Sequence, residues 1–237
     1  MRYLPSLACW FFLFCISISS GAAEDQDDCT GTFEVDLVFP RNKTYNPSPM
    51  MPIIFSYRNP KLISLLQPSI IYQIWDYDNM RKTVAGAEIE APSVNLSTSG
   101  DPHFEHLFSR EFNREGRWFL TVHFFWQNCF EDPDHQSSVG SHGNNIQLND
   151  TAASFIFTTK GSSKQVDLVA ATRDKNCSSP AGAAIKVQGK LRTPKYKGYD
   201  KEFCPVTPTA TEADECAVTM PASAASSINA AMTSWPN

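Results

Sequence analysis

No apolar run of bilayer length occurs in this 237-residue sequence. The longest, Leu7 to Ile18, is roughly 12 residues, where a spanning helix needs about 20, so no transmembrane segment is expected. Basic residues do not dominate either: 20 Lys and Arg stand against 25 Asp and Glu, a formal net charge of -5. A mildly acidic chain has no general electrostatic reason to hold phosphates, so nucleic acid is not an expected partner. Enzyme signatures are missing as well. The segment Val139-Gly140-Ser141-His142-Gly143 is not a G-x-S-x-G nucleophile elbow, and no other occurs. No C-x-x-C joins any two cysteines, which argues against a zinc site. No cofactor motif is present, and none is expected to be bound.

What the sequence does have begins with a leader. Arg2 gives a positive start, the apolar run contains Trp10, Phe11, Phe12 and Phe14, and the small residues Ser19-Ser20-Gly21-Ala22-Ala23 follow before the acidic stretch Glu24 to Asp28. That order is a secretory signal peptide with cleavage after Ala22 or Ala23, so residues 1–23 are set aside from the fold. Losing Arg2 moves the net charge from -5 to -6, and about 214 residues remain, enough for one large β domain and a tail. Neither cleavage leaves histidine at the new amino terminus, which disfavours a copper monooxygenase of the kind that binds metal there.

The chain is organised around Gly116 to Cys129. Trp118, Leu120, Val122, Phe124 and Trp126 alternate on one face, and Phe119, Thr121, His123, Phe125 and Cys129 on the other. A period of two in β-branched and aromatic residues predicts a strand, and aromatics on both faces predict a central one buried on both sides. Similar alternation predicts strands at Thr32 to Phe39, with a wet face at Glu34 and Asp36, at Pro52 to Tyr57, at Ser69 to Tyr77 and weakly at Thr83 to Ile89. Further strands are predicted at His103 to Phe112, around Ala153-Phe155-Phe157, around Val166-Leu168-Ala170 and around Ile185-Val187-Leu191. Asn113-Arg114-Glu115-Gly116 reads as a turn making a hairpin with the central strand, its glycine suited to positive φ. Glu131 to Asp150 reads as a long polar loop.

Seven to nine strands and no long helix predict an all-β fold, an antiparallel β-sandwich that is immunoglobulin-like in the broad sense, with a jelly roll as the other architecture. The sandwich is placed at residues 24–192. Residues 193–237 form a tail rich in Pro, Thr, Ala and Ser, in which Ser223 to Thr233 is a candidate short helix that must dock to be stable.

Five cysteines remain after cleavage, Cys29, Cys129, Cys177, Cys204 and Cys216, with spacings of 100, 48, 27 and 12 residues. In an oxidising compartment they pair with one left over, in any of fifteen two-bridge arrangements. Asn42, Asn95, Asn149 and Asn176 are glycosylation acceptors of the N-x-S/T type, none inside a predicted strand. Cys177 lies within the last of these, so early disulfide formation there blocks glycan transfer.

Three clusters bear on chemistry. Glu131, Asp132, Asp134 and His135 offer ligands to calcium or a transition metal, but regular calcium-loop spacing is absent and a solvated acidic loop is the plainer reading. Trp75, Asp76 and Tyr77 end a strand with two aromatics sharing a face beside a carboxylate, an arrangement that stacks a sugar ring; core packing and turn chemistry are the plainer readings. The basic run Lys186, Lys190, Arg192, Lys195, Lys197 and Lys201 reads first as a solvated face. His123 reads as a packed histidine rather than a base, and His103 and His106 fall on opposite strand faces, so they do not share an ion.

Three stretches carry a resemblance: F-E-V-D-L-V-F-P-R-N-K-T-Y at Phe33 to Tyr45, P-S-I-I-Y-Q-I-W at Pro68 to Trp75, and G-R-W-F-L-T-V-H-F-F-W-Q-N-C at Gly116 to Cys129. Together they resemble a family of secreted fungal proteins defined as a domain of unknown function, over most of the chain from Cys29 to Cys216. The alanine- and serine-rich ending is similar too. Such endings commonly carry one more cysteine, and some continue to a lipid-anchor signal; this chain stops at Trp235-Pro236-Asn237 with neither. The resemblance implies secretion and supplies no catalytic residues. The expectation is a secreted glycoprotein acting by non-catalytic binding or structure outside the cell or at the cell wall, with a wall glycan or an extracellular protein as partner. The alternative is an extracellular carbohydrate-active hydrolase using loop carboxylates.

Overall fold

The computed structural model describes residues 29–91, 101–131, 144–173, 181–193, 201–208, 210 and 218–235. Four strands, β1 (Gly31–Phe39), β3 (Met51–Arg58), β6 (His103–Ser109) and β9 (Gly182–Val187), form an antiparallel sheet in the order β6-β3-β1-β9. Five more, β2 (Thr44–Tyr45), β4 (Ser69–Asp76), β5 (Asn79–Glu90), β7 (Gly116–Glu131) and β8 (Asn144–Thr159), form a second in the order β2-β8-β7-β4-β5. β2 runs parallel to β8, and the other pairings are antiparallel. β10 (Gly189–Arg192) and β11 (Phe203–Val206) make a separate ribbon, and the described chain also has three α-helices, α1 (Ile63–Leu66), α2 (Leu168–Thr172) and α3 (Ala222–Ser234), with a 3-10 turn at Pro60–Leu62 leading into α1.

The two larger sheets pack face to face as a sandwich because each strand alternates. Phe33, Val35 and Leu37 of β1 and Ile53, Phe55 and Tyr57 of β3 are buried against Ile70, Tyr72 and Ile74 of β4 and Trp118, Leu120, Val122 and Phe124 of β7. Phe55 meets Phe124 edge-on across the layers, with ring centroids 6.5 Å apart. Burying an aliphatic or aromatic side chain of this size stabilises by about 1.5–3 kcal/mol each. Trp118 is the largest fully buried side chain among the described residues. Its ring packs edge-on against Phe112 at 5.1 Å, and its indole N–H donates to Thr159 Oγ1 at 2.9 Å.

The central strand is therefore where the sequence puts it, but only one of its faces is buried. Phe119, Thr121, His123 and Phe125 are half-exposed, because β7 belongs to an outer layer of the sandwich rather than to a middle one. The predicted β6–β7 hairpin does not form. β6 pairs with β3 in the other sheet, and the chain crosses between layers through Phe112, buried between Trp118 and Phe157. Gly116 serves close approach, not positive φ: a Cβ there would lie 2.6 Å from the Trp118 ring.

The segment predicted as a strand around Val166-Leu168-Ala170 is α2 instead. Asp167 caps it by accepting the Ala170 N–H at 3.1 Å, and Leu168 and Thr172, four apart, are the buried pair. The ends of the predicted loop from Glu131 to Asp150 are strand: β7 runs to Glu131 and β8 starts at Asn144, paired in unbroken register from Gly116↔Thr159 to Glu131↔Asn144, while residues 132–143 lie outside the described residues. Polar residues fit there because this end of the ladder reaches past the apolar core. The supposed wet face of β1 holds a buried carboxylate, Asp36, 2% exposed beside Ser56 and 3.8 Å from Arg58, which also pairs with Glu34.

Ordered structure also continues past Leu191. β11 pairs with β10, and Cys204 bonds Cys129 of β7. Val218, Met220, Ala225 and Ile228 join the core, and α3 lies over β6, where Trp235 meets Phe108 edge-on at 5.3 Å. Arg41, 7% exposed, holds this end in place. Its guanidinium donates to the carbonyls of Val38, Thr172 and Val218 at 3.1, 3.3 and 3.0 Å, joining β1 to α2 and to the segment before α3.

Candidate functional site: the outer face of the five-stranded sheet

Because β4, β7 and β8 are in register, their outward residues fall into rows across the sheet. Trp75, Phe119 and Ile156 make one row. Gln73, Thr121 and Ser154 make the next, and Ile71, His123 and Ala152 the third, with Phe125 opposite Asp150 beyond it. Trp75, Phe119, Phe125 and Ile156 are half-exposed, and they stand on the far side of the sheet from the core. Trp75 and Phe119 rest against each other with ring centroids 6.0 Å apart and planes at 34°. His123 and Phe125 lie parallel at 6.0 Å and 12°. On β5, Gly86 lies opposite Gln73, and a Cβ there would meet the Tyr72 carbonyl oxygen at 3.0 Å.

The three residues singled out at the end of β4 separate. Trp75 belongs to this face. Tyr77, 38% exposed, lies under the Arg117 guanidinium at 4.5 Å, and Arg117 pairs with Asp78. Asp76 turns to the hairpin instead: it accepts from Arg114 at 3.1 Å and from the Asp78 N–H at 3.1 Å, and the Arg114 bond leads in holding its carboxyl below the usual carboxylate range. Arg114 in turn stands 4.4 Å over the Trp118 ring. The carboxylate is therefore tied into structure and not beside the exposed rings.

Rows of apolar and aromatic side chains with a row of Gln, Thr and Ser between them match the two-sided character of a sugar chain, with C–H faces and hydroxyl edges. Three acids stand on this face: Glu88 opposite Ile71 and Glu90 opposite Ser69 on β5, two residues and so about 7 Å apart, and Asp150 opposite Phe125 on β8, three strand spacings, about 14 Å, from Glu90. Among the described residues no group of three or more His, Cys, Asp and Glu is close enough to hold a metal ion. The cluster at Asp132, Asp134 and His135 lies outside the described residues.

The sequence reading places Phe119 and Phe125 in the core because an aromatic in a strand reads as core, and it does not single out Ile156. The signal available was the interleaving of Thr121 and His123, which marks a mixed face where its opposite is uniformly apolar. Of the glycosylation candidates, Asn42 is exposed just ahead of β2, Asn149 is half-buried within β8, and Asn95 and Asn176 lie outside the described residues. Of the cysteines, Cys129 and Cys204 are bonded, Lys190 Nζ lies 3.3 Å from Cys29 Sγ, and Cys177 and Cys216 lie outside the described residues. In the basic run, Lys190 sits 4.6 Å over the Phe203 ring and Arg192 pairs with Glu202 at 3.1 Å, so at these two positions the run serves the ribbon.

Residues 28–236 match the family described as Domain of unknown function (DUF7136), and the chain belongs to it. No curated protein and no solved structure matches the chain. No helix among the described residues is long and apolar enough to cross a membrane.

Proposed function

We propose that this chain is a secreted glycoprotein that works outside the cell, or at a fungal cell wall, as a non-catalytic binding module. Its ligand is a polysaccharide chain laid across the outer face of the five-stranded sheet. One observation carries the reading: Trp75, Phe119, Phe125 and Ile156 form an apolar surface on the side of the sheet away from the core, interrupted by a hydrogen-bonding row. The leader from Arg2 to Ala23 supports export.

The test is co-sedimentation of the purified chain with insoluble wall polysaccharides, run beside an assay for released reducing ends. Binding without release is expected, and the pair Trp75→Ala and Phe119→Ala should weaken it about tenfold or more, since each ring contact is worth about 0.5–1.5 kcal/mol. Sugar release by the wild-type chain would replace this reading with the hydrolase. Unchanged binding by the double variant would remove the face from it.

A further inference from the structure

β8 presents a long edge that is unpaired over most of its length among the described residues. Its inner edge pairs with β7 along all 16 residues, but among the described residues the other edge is met only by β2, at Thr158 and Thr159. The usual protections of such an edge are missing from it. The β7–β8 register shows no bulge, residues 144–157 include no Pro or Lys, and Leu148 is 65% exposed. An edge this flat, long and weakly charged templates pairing with another strand.

A glycosylation acceptor sits in the middle of it. Asn149, with Thr151 completing N-x-T, lies directly opposite Trp126. It forms one wall of a groove of about 540 Å³. Trp126 and Asn128 line the groove with it, and Thr207 and Pro208 contribute the opposite side. Thr207 is fixed there: its N–H and hydroxyl both bond Asn128 Oδ1, at 2.8 and 3.0 Å, and its Oγ1 accepts the Trp126 indole N–H at 3.4 Å. The groove is thus a polar trough of small-ligand size, lined along one side by β8 residues 147–151.

We propose that Asn149 carries an N-linked glycan whose first sugars occupy this groove and shield the β8 edge from pairing with a second copy of the chain. In the attachment step Asn149 Nδ2 bonds to the anomeric carbon of a lipid-pyrophosphate-linked oligosaccharide. The carbon–oxygen bond to pyrophosphate breaks, Nδ2 gives up one proton, and the lipid pyrophosphate leaves; nothing is oxidised or reduced. The proposal rests on the secretory part of the reading above and not on the polysaccharide-binding face.

The experiment is expression of the full chain in a eukaryotic secreting host, with site occupancy read by mass spectrometry of glycopeptides and size by light scattering across a concentration series. Asn149 should be occupied and the native chain monomeric. Asn149→Gln and Thr151→Val should each give concentration-dependent dimers or larger species, and enzymatic removal of the glycan from the folded native chain should do the same without any substitution. Asn149 unmodified while Asn42 is occupied would overturn this proposal alone. So would a deglycosylated chain that stays monomeric at every concentration. Absence of glycan from all four acceptors would overturn the secretory reading together with it.

Discussion

The sandwich has two outer faces, and they are finished differently. On the four-stranded sheet, α2 lies against β1 and α3 against β6, and Pro52 and Ile54 on that side of β3 are buried. The five-stranded sheet instead carries Trp75, Phe119, Phe125 and Ile156 half-exposed. Aromatic residues appear on both, so composition does not separate them. What separates them, among the described residues, is whether a later segment of the chain returns to cover the face. The contrast recurs within β7, whose Trp118 side is sealed while its Phe119 side, one residue on, is open.

The sealed side gives the largest expected effect. Trp118→Ala should cost about 3–5 kcal/mol in chemical denaturation, because the void cannot collapse around Phe112 and Phe157. A loss below about 1 kcal/mol would erase the contrast. Next comes the staple between β7 and the ribbon: Cys204→Ser opens a loop with a sequence separation of 75 and should cost about 2–4 kcal/mol. Arg41→Met tests how the helical face is held. It leaves the carbonyls of Thr172 and Val218 without these bonds, so about 2–3 kcal/mol should be lost. Limited proteolysis should then cut ahead of α3 first, and cutting elsewhere first would assign Arg41 a different role. Smallest in stability is the open face: Phe119→Ala should cost about 1 kcal/mol or less in denaturation while weakening polysaccharide binding. A Phe119→Ala loss as large as that of Trp118→Ala would make the outer face structural.

Much of this was legible in the sequence wherever the information is local. Alternation placed β1, β3, β4 and β7, and the buried side of β7 followed from Trp118, Leu120, Val122, Phe124 and Trp126. Non-local choices were not legible. A short turn after Phe112 looks like a hairpin, yet β6 gains more by pairing with β3 some fifty residues earlier, and nothing between them announces it. Around Leu168, alternation and helix capping compete over the same few residues, and Asp167 decides for the helix. Arg41 directly after Pro40 gives no hint that three carbonyls from distant segments converge on it. At the candidate site Trp75 was identified, but Phe119 and Phe125 were assigned to a core because period two tells which residues share a face and not what covers that face.

Hydroxyl-radical footprinting of the purified chain, with and without wall polysaccharide, tests the asymmetry most directly. Trp75 and Phe119 should oxidise readily in the free chain and become protected when polysaccharide is bound, while Trp118 stays unreactive in both states. Oxidation of Trp118 in the folded chain, or undiminished oxidation of Trp75 and Phe119 on bound polysaccharide, would contradict the account.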